Sequence, residues 1–593
     1  MRVCDIVASF LEKQAKVKDI FMVSGGGLLF LTDGLLKNKN LNKICCHHEQ
    51  AASMSAVAYA KYKQDFGCVY LTTGCGGTNA MTALLHAWQD NTPCIFISGQ
   101  CKRIETLRIK KTPIRQIGVQ EADIISLVEP ITKYSVMIDE PKDILFHLEK
   151  ALYMAKEGRP GPVWLDIPSD VQGYAIDNES SLRHFYANQN DCVSVSIDDI
   201  KYLQNEIQKA KRPIIIAGQG IRLSHSIQEF YDFIHKYQIP IVSSRMGFDA
   251  MPTEDDLYIG RIGTKGTRAG NFAIQNADLI VAMGSRLSVS STGHEYDLFA
   301  PKAKIIAIDI DKHEHTKNTI KIDKVINANI KEALKQLSLN ISTNKKWLDY
   351  CFNIKKKYPL CLPEYYNDDS NGINLYVFME ELSKKLKKDS VVVTDAGSAV
   401  YVPAQSLKTT TMEQRYITSG AQAEMGFTLP GAIGVCFAKN KSECLAITGD
   451  GSLQMNIQEL QTLVYYNLPI KLFVWNNDGY LSIRASQDKL FDGNLIGTDS
   501  SNGVSFPDLE KIAYAYGIKY IKIDKIADLT EKLDVVLAEK NPVIVDVISI
   551  KNQLIAPAVS SKKMPDGTFV SQPLENMYPF LPEDEVKENM INN

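Results

Sequence analysis

The sequence predicts an α/β protein made of three doubly wound parallel-sheet units, and three observations carry that reading. Strand-like apolar runs alternate with helical ones along almost the whole chain, as βαβ units require. Two polar, weakly periodic stretches, near 176–194 and 339–374, divide it into segments near 1–180, 195–338 and 375–550, each of ordinary domain size. In the last segment two strand-like runs end in short loops of Gly, Asp and Asn, at the strand ends where open α/β sheets bind ligands.

In the first segment the strand Lys43-Ile44-Cys45-Cys46 leads to His47-His48-Glu49-Gln50 and then to a helix of small residues, Ala51 to Ala60. Small side chains let backbones pack closely, so Glu49 is expected at a crowded, poorly hydrated helix start, where a carboxyl can share a proton with a ligand nitrogen. Taken alone, a glutamate there is an ordinary first-turn residue favoured by the helix dipole. The strand Cys68-Val69-Tyr70-Leu71 then enters Thr72-Thr73-Gly74-Cys75-Gly76-Gly77, followed by a helix over Ala80–Trp88 and a strand over Pro93–Ser98.

The middle segment opens on Ile214-Ile215-Ile216-Ala217-Gly218-Gln219-Gly220, which lacks the third glycine and the downstream acid of a dinucleotide loop. A second unit runs from Ala277 through Gly284-Ser285-Arg286 to a strand at Ile305–Ile308 and Asp309-Ile310-Asp311. The tail, 551–593, carries Pro565, Gly567, Pro573, Pro579 and Pro582 and is expected to lie extended over another surface or to be partly disordered.

The last segment holds the most informative pair. The strand Leu445–Thr448 ends in Gly449-Asp450-Gly451-Ser452, and 27 residues after Asp450 stands Asn477, within Trp475-Asn476-Asn477-Asp478-Gly479-Tyr480. Leu453, Ile457, Leu460 and Val464 recur at helical spacing between them, so the stretch reads strand, loop, helix, strand, loop. Two such strand ends lie side by side in a parallel sheet. One carboxylate (Asp450), one amide oxygen (Asn477) and the carbonyl of Gly479 suit Mg²⁺, which takes few protein ligands plus phosphate oxygens. Gly451 is expected to let the backbone approach a ligand, with the following amides facing an anion.

Gly-Asp-Gly, a gap and Asn-Asn is the thiamine diphosphate motif, and TTGCGGTNAMTALLHAWQDNTPCIFISGQ, HHEQAASMSAVAYAK and RPGPVWLDIPSDVQ resemble the acetolactate synthase branch of thiamine diphosphate enzymes. The resemblance covers roughly residues 1–555. It implies a pyrimidine-binding, a central and a diphosphate-binding domain, and a glutamate, here Glu49, on N1′ of the aminopyrimidine, helping to remove the thiazolium C2 proton. It assigns Gln120 to catalysis, Met425 to wedging the cofactor into a bent form, and Thr73, Gly397, Ser398, Met425, Asp450, Gly451, Ser452, Asn477 and Gly479 to cofactor binding. Val119 stands where the family has a phenylalanine and Ser486 where it has a tryptophan, so these two and Ile483 should line an enlarged substrate pocket with weakened selectivity. Arg286 matches the arginine of the family's FAD domain, but Leu287-Ser288-Val289-Ser290 replaces the expected run, which favours an empty or differently occupied domain over FAD.

Bulk properties bound the partners. With 45% hydrophobic and 23% charged residues and a net charge of −3, the chain has no footprint for nucleic acid or a membrane surface. Its 12 cysteines form no CxxC pair, no apolar run is long enough to cross a bilayer, and no signal peptide opens the chain, so a cytoplasmic protein is expected. The function this supports is thiamine diphosphate- and Mg²⁺-dependent decarboxylation of a 2-oxo acid, pyruvate foremost, with transfer of the two-carbon unit to a carbonyl acceptor, by a homodimer or homotetramer. The alternatives are a bulkier keto acceptor such as a keto-sugar, simple decarboxylation, or a non-catalytic cofactor-binding subunit; retention of Glu49, Asp450 and Asn477 together argues against the last.

Overall fold

The computed structural model describes residues 1–187, 194–341, 343–367, 372–563, 566 and 568–591. Parts of both polar divides (188–193 and 368–371), and Pro565 and Gly567 of the tail, lie outside the described residues.

Three six-stranded parallel sheets follow one another along the chain. The first comprises β1 (Asp19–Met22), β2 (Asn42–Cys45), β3 (Gly67–Leu71), β4 (Cys94–Gln100), β5 (Tyr134–Met137) and β6 (Val163–Pro168), in the order β2-β1-β3-β4-β6-β5. The second comprises β7 (Pro213–Ala217), β8 (Ile241–Ser243), β9 (Tyr258–Arg261), β10 (Leu279–Met283), β11 (Lys304–Asp309) and β12 (Lys324–Asn327), in the order β12-β11-β10-β7-β8-β9. The third comprises β13 (Val391–Thr394), β14 (Arg415–Thr418), β15 (Cys444–Gly449), β16 (Ile470–Asn476), β17 (Lys519–Ile523) and β18 (Val543–Ile548), in the order β14-β13-β15-β16-β18-β17. The third sheet therefore repeats the strand order of the first. Central strands such as Cys68-Val69-Tyr70-Leu71 and Leu445-Ala446-Ile447 are continuous apolar runs because helices cover both faces of the sheet.

The first and third units meet along two helices, Glu49–Lys63 and Thr428–Ala438. Their small residues let the backbones touch: Ser55 Oγ donates to the Pro430 carbonyl at 2.8 Å, and a Cβ on Gly434 would lie 2.0 Å from the Ser55 carbonyl oxygen. His48 caps the Glu49 helix by accepting from the Gln50 amide, and Gln64, at φ 53°, ends it.

The glycines of the middle unit do something other than cradle a dinucleotide. A Cβ on Gly220 would fall 2.6 Å from Gly284 Cα, and one on Gly284 2.5 Å from Gly220 Cα, so the loops after β7 and β10 close on each other. The tail lies over this unit, burying Leu574 and Met577 and receiving bonds from Asn271 to the Leu574 carbonyl and from Asn276 to the Asn589 carbonyl.

Candidate active site

β15 and β16 pair with Gly449 opposite Trp475, so Asp450 and Asn477 emerge from adjacent strand ends. The Asp450 carboxylate is buried and accepts from the amides of Gly451 (2.7 Å), Gly479 (3.0 Å) and Asn477 (3.2 Å). Burial outweighs these three bonds and pushes its pKa up to about 6. Asn477 Oδ1 is buried with no partner, as are Gln454 Nε2 and Ser482 Oγ. Unpaired buried polar atoms are costly, so partnerless oxygens beside a buried carboxylate fit a cation and its phosphate ligands.

Gly479, at φ 139°, turns the chain there, and Arg484 holds the turn from beneath by donating to the carbonyls of Asn477 (3.2 Å) and Asp478 (3.1 Å). Gly451 serves a different purpose from the expected one: a Cβ there would meet the Tyr480 ring at 2.2 Å, so the glycine admits an aromatic side chain rather than a ligand. The helix expected after the loop starts already at Asp450 and is broken, running Asp450–Leu453, a 3-10 turn over Gln454–Asn456, then Glu459–Tyr465. Asn456 explains the break. Its amide donates at 3.0 Å both to Gln50 Oε1 and to the Gly426 carbonyl, which pulls this turn towards the first unit.

Asp395, after β13, ties the site together. Its Oδ2 accepts from Ser452 Oγ (2.5 Å), Thr448 Oγ1 (3.1 Å) and the Thr428 amide (3.3 Å), and burial raises its pKa. Ser452 Oγ in turn accepts from the Gly426 amide at 2.8 Å, which places Met425 beside the Gly-Asp-Gly loop. Gly397, at φ 56°, and Ser398 open the next helix, with Ser482 Oγ about 3.5 Å from where a Gly397 Cβ would be.

On the first sheet Glu49 is 9% exposed, and its Oε2 accepts from Asn79 Nδ2 at 2.9 Å. Gly76 leaves it room, since a Cβ would sit 3.4 Å from Glu49 Oε1. Gly74, at φ 64°, lies against the Gln120 carbonyl, so the Gln120 loop packs on the loop beside Glu49. Thr73 is spent on the fold: its hydroxyl donates to the Gly99 carbonyl at 3.0 Å. Val119 projects into solvent, as do Ile483 and Ser486 from one face of the Leu481–Phe491 helix, and Ser486 Oγ donates back to the Ser482 carbonyl.

Sequence reasoning missed Ser482, Gln454 and Arg484. Ser482 and Gln454 carry no motif signal. Arg484 could have been suspected as a lone cation five residues past Gly479, in a stretch that must fold against it.

A cavity of about 490 Å³, lined by neither Asp450 nor Asn477, lies where all three units meet. Asp90 and Arg159 line it from the first unit, Gly284 and Arg286 from the second, and Gly420 and Ala421 from the third. It sits at the switch point between β7 and β10, and Arg286 is exposed at its wall.

The chain matches three family models: the N-terminal TPP binding domain of thiamine pyrophosphate enzymes over residues 1–127, their central domain over 200–337 and their C-terminal TPP binding domain over 395–547. It is 33% identical to the acetolactate synthase large subunit of Cyanidium caldarium, over 93% of this chain and 94% of that one. It is 32% identical to the acetolactate synthase large subunit of Lactococcus lactis, over 92% of each chain, and 32% identical to the probable one of Methanocaldococcus jannaschii, over 97% of this chain and 96% of that one. With three matched domains in order on three parallel sheets, the chain belongs to the thiamine pyrophosphate enzymes and is a thiamine diphosphate-dependent transferase of acetolactate synthase-like type.

Proposed function

We propose that this chain decarboxylates a 2-oxo acid, with pyruvate as donor, and transfers the two-carbon unit to a carbonyl acceptor, holding thiamine diphosphate through Mg²⁺. The observation that carries this is the pairing of the buried Asp450 carboxylate with the partnerless Asn477 Oδ1 at neighbouring strand ends. With the Gly479 carbonyl they make a hard, oxygen-only donor set that leaves positions for phosphate oxygens. Relatives named acetolactate synthase support a small 2-oxo acid as acceptor.

Bound thiamine diphosphate supplies the electron sink for decarboxylation and carbon–carbon bond formation. The chain does the rest. Glu49, desolvated and oriented by Asn79, exchanges a proton with a ring nitrogen of the pyrimidine. Met425 would support the bound cofactor with its bulk, and Ser452 and Asp395 fix the backbone that carries it. Gln120 supplies its amide on the acceptor side, with Val119, Ile483 and Ser486 as the surrounding wall.

In one chain that wall is open: Met425 is 37%, Ile483 46% and Val119 84% exposed. Chemistry of this kind requires water to be excluded. We infer that a second copy closes the site, in a homodimer or a homotetramer, and that the units divide at 180–195 and 338–375. The 490 Å³ cavity, with Arg286 exposed at its wall, is consistent with a middle unit that is empty or differently occupied rather than one built for FAD. The test of the function is CO₂ release from pyruvate with and without Mg²⁺ and thiamine diphosphate, with identification of the product. Release that is independent of both would overturn it.

A further inference from the structure

Four ionisable side chains are buried together where the first and third units meet, outside the groups used so far. Lys61 is 7% exposed, Asp90 2%, His86 0% and Glu424 11%. An ammonium has three N–H bonds, and Lys61 meets three acceptors: His86 Nε2 at 2.6 Å, Asp90 Oδ2 at 2.5 Å and the Thr418 carbonyl at 2.7 Å. His86 Nε2 also lies 3.2 Å from Asp90 Oδ2, and because the Glu424 carboxylate can only accept, His86 carries a proton on Nδ1 and donates it to Glu424 Oε1 at 2.6 Å. The other Glu424 oxygen accepts from Ser419 Oγ. Asp90 accepts from the Gly420 amide at 2.7 Å and the Ala421 amide at 2.9 Å; burial raises its pKa, but Lys61 beside it holds the carboxyl below the usual range.

These bonds share one target. Thr418 at the end of β14, and Gly420, Ala421 and Glu424 in the loop between it and the Thr428–Ala438 helix, are successive anchor points, all held by side chains of the first unit. Gln422 adds a fifth, on Gln89 at 2.5 Å. On the far side Gly426 is fixed by Ser452 and Asn456, and the Phe427 ring packs on His86 at 4.7 Å. Met425, between the two sets of anchors, stays partly exposed. Its backbone position is thus set by the residue before it and the residue after it.

We propose that His86 and Glu424 are positioning residues, whose buried hydrogen bond fixes the backbone that presents Met425 to the cofactor. The inference rests on the reading of the site given above. A clamp on Met425 acts on the bent cofactor shape, hence on the distance between its reacting groups, and leaves the Asp450–Asn477 hold on the diphosphate intact.

The experiment compares wild type, Glu424→Ala and Glu424→Gln, each reconstituted with thiamine diphosphate and Mg²⁺. It measures two quantities, the rate of C2 proton–deuterium exchange of the bound cofactor and the cofactor dissociation constant. Glu424→Ala should slow exchange by about a hundredfold, the effect of a ~1 Å misplacement, with the dissociation constant near that of wild type. Glu424→Gln still accepts from His86 Nδ1–H and should recover most of the rate. Exchange at the wild-type rate in a folded Glu424→Ala protein would overturn the inference. So would parallel loss of exchange, affinity and thermal midpoint in both variants, the pattern of a merely structural contact. If Glu424→Ala does not fold, His86→Leu, which cannot donate to Glu424, is measured in the same way, and unslowed exchange there is equally decisive. Wild-type protein that binds no thiamine diphosphate would overturn the functional reading and this inference with it.

Discussion

The amide of Asn477 donates to the carboxylate of Asp450 at 3.2 Å across two strands paired in register, so one ligand of the proposed cation positions the other. Removing the Asp450 carboxylate should therefore also release the Asn477 backbone, whereas Asn477→Ala keeps that amide and removes only the oxygen ligand. Asp450→Ala and Asn477→Ala should each weaken Mg²⁺-dependent retention of thiamine diphosphate by about a hundredfold or more, beyond the 10–100-fold typical of losing a supporting partner. Fluorescence titration of the cofactor, with Mg²⁺ and then with chelator, measures this.

Glu49→Gln keeps the size of the side chain and the bond from Asn79 but has no carboxyl proton to exchange. Cofactor binding should survive, while turnover falls by at least about a hundredfold, the lower end for acid–base catalysis. Steady-state CO₂ release separates the two effects.

If a second copy closes the site, two defective chains should repair each other. A Glu49→Gln chain mixed with an Asp450→Ala chain, after dissociation and reassociation, should regain part of the activity, because one site in each mixed dimer carries both intact residues. Mixed dimers proven by mass spectrometry yet inactive would place both residues in a site within one chain.

Gly434→Ala tests the packing of the first unit on the third. In an open helix this change would stabilise by about 1 kcal/mol. Here the new Cβ lies 2.0 Å from the Ser55 carbonyl oxygen, which is backbone, so overpacking should win and cost about 1–3 kcal/mol. A lowered thermal midpoint is the expected result.

Asp166 predicts a pH effect on stability. It is buried, accepts from Ser98 Oγ (2.6 Å) and Gln100 Nε2 (3.1 Å), and burial pushes its pKa up to about 7. The unfolded value is about 3.9, so the fold prefers the protonated form. Its contribution is complete below about pH 4 and is lost as pH rises to 7, by roughly 1.4 kcal/mol per unit at most. Asp166→Asn should remove this slope, and urea unfolding of both proteins from pH 5 to 8 would show the two curves converging below pH 7.

Much of this site was legible because cation ligands must follow strand ends, and strand ends in a buried parallel sheet are apolar runs stopped by Gly and Asp. Asp450 and Asn477 are candidates of that kind, whereas Glu49 was picked out by the run of small residues in the helix it opens. What stayed hidden depends on partners distant in sequence. Gly451 looks like a ligand-facing glycine until Tyr480 is placed against it. The turn at Asn456 bends towards Gln50, some 400 residues earlier, a pull with no local sign. The repeated strand order of the first and third sheets left no repeat in the sequence either, since strand order constrains which runs are apolar and not which residues make them so.

The tail also bears on handling the protein. Its last described residue, Ile591, is not loose: its amide donates to Asn276 Oδ1 at 2.6 Å, and the Asn589 carbonyl takes bonds from Asn276 and Tyr350. A linker that follows Ile591 would start from a docked segment, so it must first lead away from the middle unit. Trimming the tail before Leu574 to aid crystallisation would instead uncover Asn271 and Asn276 beside the apolar face that Leu574 covers, which should favour self-association.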